Sequence, residues 1–415
     1  MIRIRCAAIG VVALAAAFSA AAEAPDYTRP KVRAITAFVT LERASYARQV
    51  AGTLAVLREA QRDFERAGYT VQSVRIVTQP LAELVRGESD GEALAYLEAL
   101  DQLATRENFL PNVGPAMLRD GDDPHTMQLL ARALSSFSQL NASAIIAGDD
   151  GIHWKVIRES ARLVRYVADH SPHSQGTFNF AATAMLAPYA PFYPGAYHLG
   201  SGGERLSIGF EGANVVQEVF ARTHGDFDAA ASGLTRQLAV HAKVAEDIGT
   251  QVASRHGWTF MGVDPTPAPL ADASIGAAIE AFTGARFGSS GTLPAALVIT
   301  TAVKAVPVRQ IGYAGLMVPV MEDRLLARRW AEGTYDVDAL LAYSAVCATG
   351  LDTVPLPGEV SEAQLMRIYG DVAALAFKWH KPLAARLQPV AGKKPGDETD
   401  FADPYLFNTR IHPLP

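Results

Sequence analysis

Cysteine is scarce in this chain: Cys6 and Cys347 are the two among 415 residues. Cys6 falls in an N-terminal stretch that reads as a removable leader, so Cys347 would remain alone and no intrachain disulfide is available. The core has to supply the stability. Also missing are the HExxH and DxDxDG spacings of common zinc and calcium sites and the Walker spacing of a phosphate-binding loop. These absences exclude a nucleotide or flavin site recognisable by motif. They leave the metal ligands unknown, with a divalent cation held by dispersed carboxylates as the open case. Basic residues do not gather into stripes, and the net charge is a mild −6. Neither nucleic acid nor an anionic membrane surface is therefore an expected partner. Beyond the leader no apolar run has the ~20 residues that span a bilayer, and no internal repeat or low-complexity linker appears.

The leader itself has the expected parts. Arg3 and Arg5 supply positive charge, Ala7 to Phe18 is an apolar run too short to cross a membrane, and Ala20-Ala21-Ala22 forms a small-residue cleavage pattern. The expectation is a signal peptide over 1–22, with Glu23 as the first mature residue, and a periplasmic or secreted protein that has no membrane attachment after cleavage. A short extension over 23–31 and a single domain over 32–415 with a turn-rich tail follow.

Strand-like and helix-like segments alternate along that domain. Arg33 to Leu41 alternates as a strand, and 45–68 has Val50, Leu54, Leu57 and Phe64 at helical spacing. Strand patterns recur at 70–77, 142–147, 178–185, 206–210 and 260–263, with helical patterns at 90–105, 155–169 and within 226–256. The last third reads as helical over 291–304, 323–332 and 336–345. Ser361 and Gln364 form a capping box that opens a helix running to about Lys378. Such alternation favours a mainly parallel α/β sheet or barrel with crossover helices.

Polar residues in glycine- and proline-punctuated segments are the candidates for chemistry, because α/β proteins keep their sites in loops beside buried strands. The segment 191–198, PFYPGAYH, is a rigid aromatic loop that ends with Tyr197 and His198, the latter able to exchange protons near neutral pH or to be a satisfied packing residue. Asp264 follows a buried strand and precedes three prolines, as a general base or as a turn cap. Ser274 and the Gly291-Thr292 pair stand at helix starts whose N–H groups suit an anion. Glu322 and Asp323 sit at another helix start, where the helix dipole alone accounts for them. Asp352, between Gly350 and two prolines, is the better fixed carboxylate. Cys347 nearby is more readily a small buried hydrophobe than a nucleophile. Arg386 and the basic turn at Lys393 suit an anionic substrate.

Read together, the loop PFYPGAYH and the stretches GYAGLMVPVMED, YSAVCATGLDTVPLPG and KPLAARLQPVAGKKPGD resemble the DUF711 family, also called UPF0210, over about Val32 to Ile411. The resemblance implies a β/α barrel similar to the pyruvate formate-lyase and ribonucleotide reductase group, a site at the barrel centre, and a homodimer. In radical members of that group a C-terminal glycine passes a radical to a cysteine on a central loop. Here the closing residues 405–410 carry no such glycine motif, so a non-radical protein is expected, with Cys347 the residue available for the central-loop position. The chain departs from the usual family wording at Pro265, Pro267 and Ala348, beside candidate site residues.

Two functional readings follow. In the first the chain is an enzyme that gathers Asp264, Asp352, His198, Cys347 and Arg386 around a small polar molecule for acid/base or metal-assisted hydrolysis or elimination. In the second it is an exported protein that binds a small ligand without turning it over.

Overall fold

The computed structural model describes residues 28–200, 202–347 and 349–414; the expected leader and its cleavage before Glu23 lie outside them. Ten strands form one sheet: β1 (Lys31–Phe38), β2 (Val74–Val77), β3 (Leu110–Pro115), β4 (Asn141–Gly148), β5 (Gly151–Ile152), β6 (Phe180–Ala184), β7 (Arg205–Glu211), β8 (Thr259–Asp264), β9 (Gly350–Pro357) and β10 (Leu383–Val390). β1, β2, β3, β4 and β6 lie side by side and parallel. β7 runs antiparallel to β1 and carries β8 parallel to itself. On the other flank β10 runs antiparallel to β6, with β9 parallel to β10. β5 is a short hairpin partner of β4.

The open seam between β8 and β9 is closed by the segment 309–320. At one end Val263 N–H donates to the carbonyl of Arg309 at 2.9 Å and Ile311 N–H to that of Val263 at 3.1 Å; at the other Val320 N–H donates to the carbonyl of Asp352 at 2.9 Å. Both bridges are parallel. The result is a barrel of two five-membered halves running in opposite directions, the β/α barrel expected for this chain.

Burial on both faces explains the strand sequences. Val32, Ala34, Ile35, Ala37 and Phe38 of β1 are all buried, because helices cover the outside and a loop fills the inside. The helix Tyr46–Arg66 lays Val50, Leu54, Leu57 and Phe64 against the barrel. The capping box at Ser361 and Gln364 starts the helix Glu362–Trp379 as expected. A continuous apolar cluster links Val32 to Ile411.

Some elements depart from the sequence-based expectation. The segment 350–357, expected as a rigid loop, is β9, and β10 was not anticipated at all. Prolines mask both: Pro355 and Pro357 in β9 and Pro389 in β10 have no N–H to give. β9 tolerates its prolines because its outer neighbour, the irregular 309–320 segment, contacts it only near Asp352. The helices His125–Ser136 and Ala213–Thr223 and the strand β3 were likewise unexpected.

Candidate functional site

The loop 189–198 occupies the barrel's interior. Its carbonyls and side chains bond to strands around the ring. Thr36 Oγ1 of β1 donates to the Pro191 carbonyl at 3.1 Å, Asn112 Nδ2 of β3 to that of Pro194 at 2.7 Å, and Ser207 Oγ of β7 to that of Tyr189 at 2.6 Å. Tyr193 Oη lies 2.9 and 3.0 Å from the carbonyls of Ile76 and Leu110. Phe192 packs with Leu186, Ala268, Tyr313 and Met317. A loop this thoroughly bonded leaves a defined space beside it.

That space is a cavity of about 280 Å³ at the end where β1 to β4 begin, near the lower limit for small-molecule sites. The first half-barrel contributes Arg33 and Arg75, and the second contributes Asp352 and Arg386, with Tyr313 and Glu322 from the closing segment and its end. Asp403 and Tyr405 of the tail reach it from outside the barrel.

The charged groups form a chain of ion pairs. Glu322 is gripped on one side by Arg33 Nη2 and on the other by Arg386 Nη2. Arg386 also donates through Nε to Asp352 Oδ1 at 2.7 Å, and its guanidinium lies over Phe178, 4.8 Å from the ring centre. Arg33 Nη1 stands 3.8 Å from Glu211, which Lys31 pairs at 3.1 Å. Burial opposes the charges of Glu322, Asp352 and Arg386. Against it, Arg386 and Arg33 hold Glu322 below the usual carboxylate range, and the two carboxylates push Arg386 up.

Asp352 differs. Burial raises its pKa, Glu322 raises it further, and its share of Arg386 only partly offsets them. Among the described residues Oδ1 is the atom bonded by Arg386, and Oδ2 has no hydrogen-bond partner. Tyr313, also lining the cavity, has a hydroxyl with no hydrogen-bond partner among the described residues; burial and then the charge of Asp352 hold that hydroxyl well above the ordinary phenol range. Asp352 and Tyr313 therefore feel each other across the space.

Of the residues singled out from the sequence, the structure brings Asp352 and Arg386 together. It places the others elsewhere, so the expected five-residue convergence does not form. His198 lies at the opposite end of the barrel, where Nε2 donates to the Val39 carbonyl at 3.1 Å and Nδ1 accepts from Gly200 N–H at 3.1 Å. With both nitrogens engaged, burial lowers its pKa to about 4. Tyr197 donates to the Leu186 carbonyl at 2.7 Å, and burial raises it to about 12.

Asp264 is fully buried in a turn. Oδ1 accepts from Thr266 N–H, Thr266 Oγ1 and Ala314 N–H, at 3.0, 2.5 and 3.2 Å, and Oδ2 accepts from Tyr313 N–H at 2.8 Å. It pins the glycine turn at 312–315 to the end of β8. Burial raises its pKa to about 6. Cys347 is buried in the apolar core beside the helix Val337–Ser344, and the loop inside the barrel carries no cysteine.

Ser274 caps the helix Ile275–Thr283 and donates to Asp323 Oδ1 at 2.6 Å. Gly291 precedes the helix Thr292–Lys304, and Thr292 Oγ1 accepts from Gly288 N–H at 3.1 Å. Lys393, in the turn after β10, is 3.6 Å from Asp400. None of these lines the cavity.

Sequence reasoning missed Arg33, Arg75 and Glu322. Glu322 and Asp323 looked alike as acids at a helix start, and Asp323 does cap the helix Arg324–Ala331; its neighbour turns inward to the arginines. A pairing of inward-facing charges across the barrel leaves no spacing in the sequence. Among the described residues no group of three or more His, Cys, Asp and Glu side chains is placed to hold a metal. No helix among them is long and apolar enough to cross a membrane.

Residues 26–403 match the family model described as "Uncharacterised ACR (DUF711)". A UPF0210 protein of Pyrobaculum aerophilum is 34% identical over 363 residues, covering 82% of this chain and 78% of its own. A UPF0210 protein of Methanopyrus kandleri is 30% identical over 371 residues, covering 85% and 81%. Among solved structures, the anaerobic ribonucleotide reductase from Thermotoga maritima in complex with dATP and CTP is similar with a TM-score of 0.44 and 9% identity, over 86% of this chain and 75% of that one.

Proposed function

The chain belongs to the DUF711 family, and from that premise we propose that it is a non-radical enzyme that carries out acid–base chemistry on a small polar molecule inside its barrel. Asp352 is the proton-transferring group. The observation that carries this reading is the asymmetry of its carboxylate: Oδ1 is fixed by Arg386, and Oδ2 has no hydrogen-bond partner among the described residues, in a cavity that Tyr313 also lines. A general base has to be held in place and still have an oxygen to use. Its raised pKa moves it toward the pH where proton transfer both ways is easy. Tyr313 supplies a hydrogen bond to the oxygen on which negative charge develops.

The resulting reaction class is hydrolysis or elimination. Cys347 is buried in the apolar core and is not among the residues that line the cavity, which supports a mechanism without a cysteine radical. The leader-like N-terminus supports a periplasmic or secreted protein, and the family resemblance supports a homodimer. Turnover of a panel of small polar metabolites, followed by mass spectrometry with the wild-type protein and with Asp352→Asn, tests the reading. Loss of product in the variant is expected. Ligand-dependent stabilisation of the wild type with no product from any compound would instead make the protein a binding module.

A further inference from the structure

Arg75 is the buried charge that the ion-pair chain leaves out. It is 7% exposed and lines the cavity. Its bonds within the described residues are Nε to Ser73 Oγ at 3.0 Å and a long one from Nη1 to the Pro191 carbonyl at 3.5 Å. No carboxylate among the described residues forms an ion pair with it. Its guanidinium stacks over Tyr193, 4.8 Å from the ring centre, which fixes the plane without neutralising the charge. Burial, and next to it the repulsion of Arg33, lowers its pKa to about 10, so it remains protonated at neutral pH. An uncompensated buried cation is among the costlier features a fold can keep.

The charge count of the cavity defines what would compensate it. Arg33 and Arg386 are already answered by Glu322, Asp352 and Glu211. Arg75 is the lining arginine left without an ion-pair partner among the described residues, and Asp403 is a further carboxylate on the same lining. The carboxylates of Glu322, Asp352 and Asp403 on the same lining disfavour a phosphate dianion, and the volume of about 280 Å³ disfavours anything larger than a few carbons. A second unsatisfied group borders the same space: Gln72 lines the cavity, and its buried Oε1 accepts no hydrogen bond. A turn of the terminal amide brings this acceptor to a ligand that carries a donor.

We propose that the cavity binds a small monoanionic carboxylate bearing a hydroxyl, with the carboxylate on Arg75 and the hydroxyl available to Gln72. This rests on the acid–base reading for what happens next, but not for the binding itself. A two-pronged guanidinium matches a carboxylate's two oxygens, and the anchor would leave the rest of the molecule to reach Asp352 and Tyr313.

The test uses glycolate as the probe, with acetamide as a neutral control and inorganic phosphate as the dianion control. Saturating glycolate should raise the melting temperature of the full-length wild-type protein by at least about 2 °C, with acetamide and phosphate giving no shift. Arg75→Met should abolish the glycolate shift, and its own melting temperature without ligand should be no lower than that of the wild type, because a buried unpaired charge has been removed. Arg75→Lys should retain a smaller shift. Equal stabilisation of wild type and Arg75→Met, no shift with glycolate in the wild type, or a larger shift with phosphate would each overturn the proposal. Asp352→Asn separates the two claims: an Arg75-dependent glycolate shift with turnover unaffected by Asp352→Asn removes the acid–base reading and leaves the carboxylate site standing.

Discussion

Arg386 donates through Nε to Asp352 and through Nη2 to Glu322, so one guanidinium serves two carboxylates of unequal standing. Glu322 has Arg33 as a second partner; Asp352 has half of one. Where two buried acids compete for a shared cation, the better-paired one stays ionised and the other carries the exchangeable proton. The geometry thereby assigns roles to two residues of the same chemistry, Glu322 to hold the arginines and Asp352 to transfer protons.

Asp352→Asn keeps the shape and the Arg386 contact but removes the base. Turnover is expected to fall by roughly 10²- to 10⁴-fold with little change in melting temperature. In the wild type the acid limb of kcat/KM should have its midpoint above the ordinary aspartate pKa of about 4, since burial raises this carboxyl. A limb at or below that value would show that another group sets the profile.

Glu322→Gln leaves Arg33 and Arg386 facing each other with their shared negative charge gone. Breaking one partner of a buried charge pair typically costs about 3–5 kcal/mol. Urea unfolding should show a loss in that range, far greater than for Asp352→Asn. Near-equal losses would mean that the two carboxylates share the structural load.

Much of the barrel was legible because its elements follow local rules. Val50, Leu54, Leu57 and Phe64 repeat at helical spacing, and Ser361 with Gln364 caps a helix through bonds between neighbours. The site was legible only in part. Asp352 and Arg386 stood out individually, but the proline-bearing strands that carry them looked like loops. Arg33, Arg75 and Glu322 gain meaning only when β1, β2 and the closing segment curl around one space. His198 and Asp264 have the residue types of catalysis and the hydrogen bonds of packing, a distinction that depends on partners distant in the chain, such as Val39 and Tyr313.

His198 should stay neutral across the physiological range. The folded protein resists protonating it until about pH 4, whereas an unfolded histidine takes its proton near pH 6.5. The unfolded state therefore binds more protons between those values. The site's contribution to stability is full above about pH 6.5 and declines as pH falls toward about 4, by about 3 kcal/mol in all. Imidazole resonances followed by NMR should show no midpoint for His198 between pH 5 and 8; a midpoint near 6.5 would contradict the buried, doubly bonded ring.

Asp264 works in the opposite direction. Its folded pKa of about 6 lies above the unfolded value near 3.9, so the folded state binds the extra proton. Stability from this site declines as pH rises from about 4 to about 6, by about 3 kcal/mol, and the cost persists above that. The four hydrogen bonds from Thr266, Tyr313 and Ala314 are what make an ionised carboxylate tolerable there. Gly312 is part of the same arrangement: its φ is +82°, and a Cβ at that position would collide with Asp264 Oδ2. Gly312→Ala is expected to destabilise by about 2 kcal/mol or more, since strain and collision add. In an Asp264→Ala background the collision disappears and the strain remains, so the same substitution should cost less. Urea denaturation of the four proteins at pH 7 measures that coupling. Additive losses would mean that the carboxylate and the glycine turn are independent, and that Asp264 is not what holds the closing segment against β8.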